Sequence, residues 1–354
     1  MPTLKRAVVQ RCETARPGLI RAVVRVDGGD AAAIAYEELT GPLAPGDAVI
    51  VNTTAVDLGL GSGGVHFVVA VEGREAGEPP AGHAMKLRYS PHQTAVGSIE
   101  DDAPAALDEG ADLGGTPVVA LGLHSALVPA AIGVRARFPA ARIAYVMTDQ
   151  GALAMAFSDT VAAARAAGLL DATITTGQAF GGELEAVNVF SGLAAARSAA
   201  AADVILAGMG PGNLGTASVL GFASIEAGVI VNAAAALAGV PVVVPRISFA
   251  DTRDRHHGLS HHTVTTLGVA ALARAHVAVP DLPAEEAALV EQRLAPLRAR
   301  HEVVTVALGD VEALLAASPI PLRSMGRSFA EDPHFFRAAA AAGVRAASLA
   351  GASV

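Results

Sequence analysis

The chain has 354 residues, a formal net charge of −9, 52% hydrophobic residues, one cysteine and no tryptophan. That length exceeds the usual size of one compact core, so two domains are expected. The acidic balance excludes broad binding to nucleic acid or anionic membranes, which needs a basic surface, and the lone Cys12 excludes an intramolecular disulfide or a cysteine-rich zinc site and fits a reducing, cytoplasmic compartment.

Residues 5–72 read as strands. Five β-branched runs, at 6–14, 19–27, 31–36, 47–52 and 65–71, are separated by Pro-Gly, Gly-Gly and Pro-Gly-Asp punctuation. Five strands in so short a span predict a small N-terminal β-barrel of OB-like or SH3-like type, with Cys12 as a packing residue. The loop at 52–64 is long and glycine-rich, as functional or mobile loops are. A Gly/Pro-rich stretch follows at 77–82, and then HAMKLRYSPHQ. If that segment is a strand, Lys86 and Arg88 share a face and could reach acidic groups of a ligand. Residues 97–115 carry six acidic residues and no basic one, which marks a solvated connection. The expected organisation is a β-rich module over residues 1–97 and an α/β domain over residues 98–354.

From Thr116 apolar runs of strand length alternate with alanine-rich helical stretches. The runs lie at 118–123, 142–148, 172–176, 203–207, 240–245 and 276–279, and the helical stretches between them include 158–167, 183–200, 225–238 and 261–274. A helix at 284–300, a strand at 301–308 and one more helix within 324–354 extend the series. This pattern predicts a mostly parallel, Rossmann-like sheet flanked by helices. A membrane helix needs about 20 nearly uninterrupted apolar residues, whereas the long run 228–245 is broken by Asn232, Gly239 and Pro241.

In open parallel sheets ligands bind beyond the carboxyl ends of the strands. Two of the segments found there carry most of the chemistry. One is a glycine loop, Gly208–Ser218, in which Gly210, Gly212, Gly215 and Thr216 would let the backbone turn sharply and offer N–H groups to an anion. Its spacing is not that of the dinucleotide fingerprint, and it lacks the Lys-Ser/Thr ending of a P-loop. The other is the segment 245–263, which holds His256, His257, His261 and His262 behind Asp251, Arg253, Asp254 and Arg255. Ser260 reads as the N-cap of a helix running to Arg274, which would place His261 and His262 in its first turn. That position favours anions and disfavours imidazolium, and Arg253 and Arg255 add forked donors.

These features predict a site for a small phosphorylated or carboxylated metabolite. His261 or His262 would be the acid/base group, with Asp149 as partner. Two other readings stand beside it. One is a divalent-metal-dependent hydrolase using His257 and His261, four residues apart, with Asp149, Asp251 or Asp254 as oxygen ligands. The other is a non-catalytic regulatory or partner-binding module that senses a metabolite. Glu183 and Glu185 read as opening a helix, and Arg327 as a minor contributor to the pocket. No cofactor is implied. A homodimer is expected from the general frequency of symmetric pairs.

The segments NTTAVDLGLGSGGVHFVVA, HAMKLRYSP, AYVMTDQGALAMAFS, AFGGELEAVNVFSGL, GMGPGNLGT, RISFADTRDRHHGLSHHT and SMGRSFAEDP occur in this order along the chain. With them the sequence resembles a bacterial family designated domain-of-unknown-function 3866. The resemblance covers almost the whole chain and implies no activity, substrate or cofactor.

Overall fold

In the computed structural model, residues 1–61, 63–74 and 82–351 are described, so all of the stretch 77–82 except Gly82 lies outside them. The chain divides into two compact units, Met1–Gly97 and Ser98–Val354.

The first unit is a closed barrel of five strands: β1 (Leu4–Arg16), β2 (Leu19–Val26), β3 (Gly29–Tyr36), β4 (Ala48–Asn52) and β5 (His66–Val71), in the order β1-β2-β3-β5-β4. Period-two alternation turns Ala7, Val9, Ala22, Val24, Ala33, Ala35, Val49 and Val51 inward. These small side chains fill a narrow lumen without aromatic residues. The 13-residue β1 reaches both neighbours because it is bulged between Val9 and Arg11. It pairs with β2 on one side and closes on β4 on the other, from Leu4 opposite Asn52 to Val8 opposite Ala48. β3 and β5 run parallel, with Ala33 opposite His66. The barrel is thus closed by one antiparallel and one parallel pairing.

A short antiparallel pair follows, β6 (Ala84–Lys86) with β7 (Thr94–Val96). β6 stops at Lys86 because Leu87 and Tyr89 both take positive φ, 51° and 59°. Lys86 is buried and Arg88, beyond the strand, is exposed, so the two do not share a strand face as their spacing suggested.

The second unit contains an eight-stranded sheet, parallel throughout. Its strands are β8 (Pro117–Leu121), β9 (Ile143–Thr148), β10 (Ala172–Thr175), β11 (Leu184–Glu185), β12 (Val204–Met209), β13 (Val240–Val243), β16 (His276–Pro280) and β17 (Glu302–Val306). They lie in the order β11-β10-β9-β12-β8-β13-β16-β17. Both faces are covered, which is why the strands read as continuous apolar runs. Val119, Leu121, Tyr145, Met147 and Leu206 belong to one apolar cluster, while the alternate residues Val118, Ala120, Ala144, Val146 and Ile205 belong to another. On the first face the helices Leu127–Arg137 and Pro333–Leu349 cross at glycines. A Cβ on Gly343 would lie 2.0 Å from the carbonyl oxygen of Ala130, and one on Gly133 would lie 2.2 Å from that of Ala340. Among the described residues no helix is long and apolar enough to cross a membrane.

Two expected helices differ from the sequence reading. The stretch 183–200 begins with the edge strand β11, and its helix starts at Val189 behind an Asn188–Ser191 capping box. Glu183 therefore opens no helix; it accepts the Thr173 N–H at 2.9 Å and pairs with Arg165, fastening the sheet edge. The stretch 261–274 is one α-turn, His261–Thr265, widening into a π-type turn that ends at Ala270. Asn232 ends it, donating to the Ala270 carbonyl at 2.9 Å and accepting from the Leu272 and Ala273 N–H groups. A side-chain amide that competes for terminal backbone groups outranks propensity here.

Candidate functional site

The site is built on the segment that leaves the carboxyl end of β13. β14 (Ile247–Ser248) pairs antiparallel with β15 (Gly258–Leu259), which folds residues 249–257 into an arch. The arch is pinned to its base: Ser260 N–H donates to the Arg246 carbonyl at 2.8 Å and Arg246 N–H donates to Thr263 Oγ1 at 2.9 Å. The chain passes from β8 to one side of the sheet and from β12 to β13 on the other, so the loops after β8, β12 and β13 meet beyond the carboxyl ends of three adjacent central strands. A cleft there is lined by Gly122, Leu123, Ser224, Arg246, His262 and Thr263, among others.

Two buried carboxylates organise the arginines. Asp251, 2% exposed, accepts from the Arg253 Nε and backbone N–H on Oδ1, and from Arg253 Nη2 at 2.7 Å and Arg246 Nη2 at 3.3 Å on Oδ2. Arg327 Nη2 lies 3.6 Å from the same oxygen. The hydrogen bonds from Arg253 hold the Asp251 carboxyl far below the usual range. Asp332, also buried, accepts from Ser248 Oγ at 2.7 Å and Arg327 Nε at 3.1 Å. Burial lowers Arg246 to about 10, which leaves it charged at neutral pH.

Beside these groups lie three imidazoles. The ring nitrogens of His256, His261 and His262 approach one another within 4.8 Å. His256 Nδ1 is 2.7 Å from Ser260 Oγ, and Phe222 stacks on His262 with ring centroids 3.9 Å apart. Ser260 is the N-cap, its Oγ accepting the His262 N–H at 3.2 Å. Burial, followed by the charge of Arg246, brings His256 and His262 down to about 3. His261 is lowered by burial and then by Arg255, Arg246, Arg293 and Arg253. All three rings are therefore neutral at physiological pH, and the cause is burial among arginines. With a single α-turn beginning at His261, the helix contributes no anion site of its own.

His257 stands apart. Its Nδ1 lies 3.4 Å from the Asp251 carbonyl and its ring meets the edge of Phe249. The ligand set of His257 and His261 with a carboxylate is thus not assembled: His257 turns away from His261, and Asp251 is taken up by arginines. Asp149 accepts the Gln178 N–H at 2.9 Å and lies against Gly177, and none of its hydrogen bonds goes to His261 or His262.

The glycine loop serves packing first. A Cβ on Gly210 would lie 2.6 Å from the Ala152 oxygen, and one on Gly151 would lie 2.4 Å from the Gly210 oxygen, so the loops after β9 and β12 touch backbone to backbone. Gly212 takes φ +104 in open space, and a Cβ on Gly215 would lie 3.7 Å from the His262 ring. Thr216 spends its N–H on the Gly221 carbonyl at 2.8 Å, while its own carbonyl accepts Arg255 Nη1 at 3.1 Å. The next α-helix starts only at Ala227, so this is not a strand-to-helix turn.

With the geometry in place, the comparisons with known proteins can be added. The model of the family described as protein of unknown function, DUF3866, matches residues 32–343. The chain belongs to that family. No curated protein and no solved structure matches it. In this DUF3866 chain the matched span begins within β3 and takes in the whole arch.

The arch and the turn after it bring together Arg253, His256, Ser260, His261 and His262 in this DUF3866 chain, with Arg255 on the flank. His257, though in the arch, is not part of the histidine cluster, and Asp149 acts on Glu226 and bonds to Gln178 rather than to the histidines. Sequence reasoning passed over Arg246, Arg293, Asp332 and above all Glu226. Glu226 Oε2 accepts from Thr148 Oγ1 at 2.6 Å, between Ser224 and Ala227 of the cleft wall. Burial raises its carboxyl to about 7, with the charge of Asp149 adding to the rise. One signal was available: Glu226 is the only charged residue between Asp203 and Arg246.

Proposed function

We propose that this protein binds a small phosphorylated or carboxylated metabolite beside the arch and transfers a proton to or from it. The observation that supports the reading is a local excess of guanidinium on an acidic chain. Arg246, Arg253, Arg255 and Arg293 all lie close enough to His261 to oppose its protonation. Arg246 and Arg253 share the Asp251 carboxylate. Among the described residues, the partners of Arg255 and Arg293 are main-chain carbonyls: Thr216 for the former, and Asp254, Arg255 and Leu259 for the latter. A carboxylate or phosphate would supply the missing counter-charge and match the guanidinium fork. Glu226, which changes charge near neutrality, is the proton-transfer group best suited to physiological pH. A cytoplasmic location and a homodimer complete the reading, supported by the single cysteine and the apolar composition. Size-exclusion chromatography with light scattering tests the dimer.

The deciding experiment is thermal unfolding of chelator-treated protein with inorganic phosphate, pyrophosphate, sugar phosphates and small dicarboxylates. A ligand specific to the folded state stabilises it by roughly 2.7 kcal/mol at a hundred times its dissociation constant. The expected result is stabilisation by one of these classes that is lost in Arg255→Ala. No shift with any of them, or a shift that persists in the variant, overturns the reading.

A further inference from the structure

The anion reading uses the arginines and leaves the three converging imidazoles without a task. Their side chains come from two places, His256 from the arch and His261 and His262 from consecutive positions in the first turn after Ser260. We propose that His256, His261 and His262 bind one divalent transition-metal ion, with zinc the best fit, in a three-histidine site with an open position. The proposal goes beyond the anion site and does not depend on it.

Four observations carry it. The ring nitrogens already lie within 4.8 Å of one another. Tetrahedral zinc with Zn–N near 2.0–2.1 Å sets its nitrogens about 3.4 Å apart, so ring rotations that bring each nitrogen inward by less than about 1 Å suffice. His261 Nε2 is buried with no hydrogen-bond partner, an unsatisfied lone pair or proton that a metal would account for. The other two rings are held from behind: Ser260 Oγ can take the Nδ1 proton of His256, which turns that ring's Nε2 lone pair free, and Phe222 clamps His262 face to face. Such outer supports are what fix ligand tautomer and orientation at metal sites. Finally, an imidazole-only set selects zinc, copper or nickel over magnesium or calcium, which take oxygen ligands.

The arginines oppose a cation here as they oppose protonation of the rings, and Arg246 Nη1 lies 3.5 Å from His262 Nδ1, but part of their charge is balanced. Arg246, Arg253 and Arg327 are offset by Asp251 and Asp332. The remaining positive charge would favour an anion on the open fourth position. Three protein ligands with one open place is the pattern of a reactive zinc rather than a structural one.

The test uses metal alone on the chelator-treated full chain: calorimetric titration with Zn²⁺, and visible absorption with Co²⁺. One ion per chain is expected, with intense cobalt bands of tetrahedral type that zinc displaces. His261→Ala should weaken zinc binding by more than about 100-fold, since even outer supports of such sites are worth 10–100-fold, while His257→Ala should bind as the native chain does. His256 and His262 are buried, so their alanine variants count only where circular dichroism shows a native fold. The half-exposed His261, changed to alanine and to glutamine, carries the test if they do not fold. Absence of stoichiometric binding, octahedral cobalt bands only, or unchanged affinity in both His261 variants would overturn the site. Because the anion screen is run without metal, either idea can fail while the other survives.

Discussion

The crossing of helices Leu127–Arg137 and Pro333–Leu349 and the base of the arch at 249–257, where Asp251 and His256 are buried while residues 252–254 stay exposed, are built on opposite principles. At the crossing the interior is alanine and glycine: Ala338 to Ala342 are each fully buried, and Gly133 and Gly343 let the two backbones touch. These residues carry no charge, and close packing does the stabilising. The arch encloses Asp251, Arg246 and two histidines, and leaves His261 Nε2 without a partner. Apolar residues of similar volume would stabilise such a place at least as well as its ion pairs do. The difference teaches where this fold tolerates cost, and cost of this kind gathers where ligands bind.

The sharpest way to break the comparison is Asp251→Ala, which strips Arg246 and Arg253 of their shared counter-ion. Removing one member of a buried pair costs about 3–5 kcal/mol. Urea unfolding should show that loss, and a loss near zero would mean that the arginines need no compensation. Gly343→Ala comes next. Helix propensity alone predicts a gain of up to about 1 kcal/mol, but the new Cβ would meet the Ala130 oxygen at 2.0 Å. Overpacking should prevail and cost about 1–3 kcal/mol, so the sign of the change decides the matter.

The last expected effect vanishes at low pH and is the most specific. Glu226 is raised to about 7 from an ordinary 4.5, so the folded state holds its proton more tightly than the unfolded one. Stability from this group is complete below pH 4.5, falls as pH rises, and is gone above 7. Glu226→Gln removes the dependence and can keep the hydrogen bond with Thr148. The variant should match the native chain at pH 4 and exceed it by about 2 kcal/mol at pH 8.5, a figure reduced from the full shift for partial exposure. Equal stability of the two proteins at both pH values would show that Glu226 ionises normally.

Much of the fold was legible because periodicity is local. The alternation in β2 and the apolar runs of β8, β9 and β12 need only their own residues to be read. Local reading failed where a distant group intervened. Asn232 cut short the helix expected to reach Arg274. Glu183, bonded to Thr173 and Arg165, belongs to a sheet edge rather than a helix start. In the site, His256, His261, His262 and Arg253 stood out as a cluster in the sequence itself. Arg293 and Glu226 did not, because Arg293 reaches the arch from a helix 38 residues after Arg255, and Glu226 reaches the cleft from the end of a 3-10 turn, Ala223–Glu226, that precedes the arch. The choice of His257 over His262 as a partner for His261 followed helical spacing, yet residue 257 lies in the arch rather than on the helix.

The sequence by itself determined the two-part organisation of strands and helices, the covered parallel sheet and the segment that carries the chemistry, because hydrophobic period and turn residues act over a few neighbours. Tertiary structure decided the rest. The parallel contact of β3 with β5 and the pairing of β1 with β4 closed the barrel. Burial among arginines, not the helix dipole, made the histidines neutral. Convergence from separate loops brought three imidazoles, four guanidiniums and a carboxyl raised to about 7 to the carboxyl ends of the central strands. Charge state and coordination depend on distance and exclusion of water, and neither quantity exists until the chain has folded.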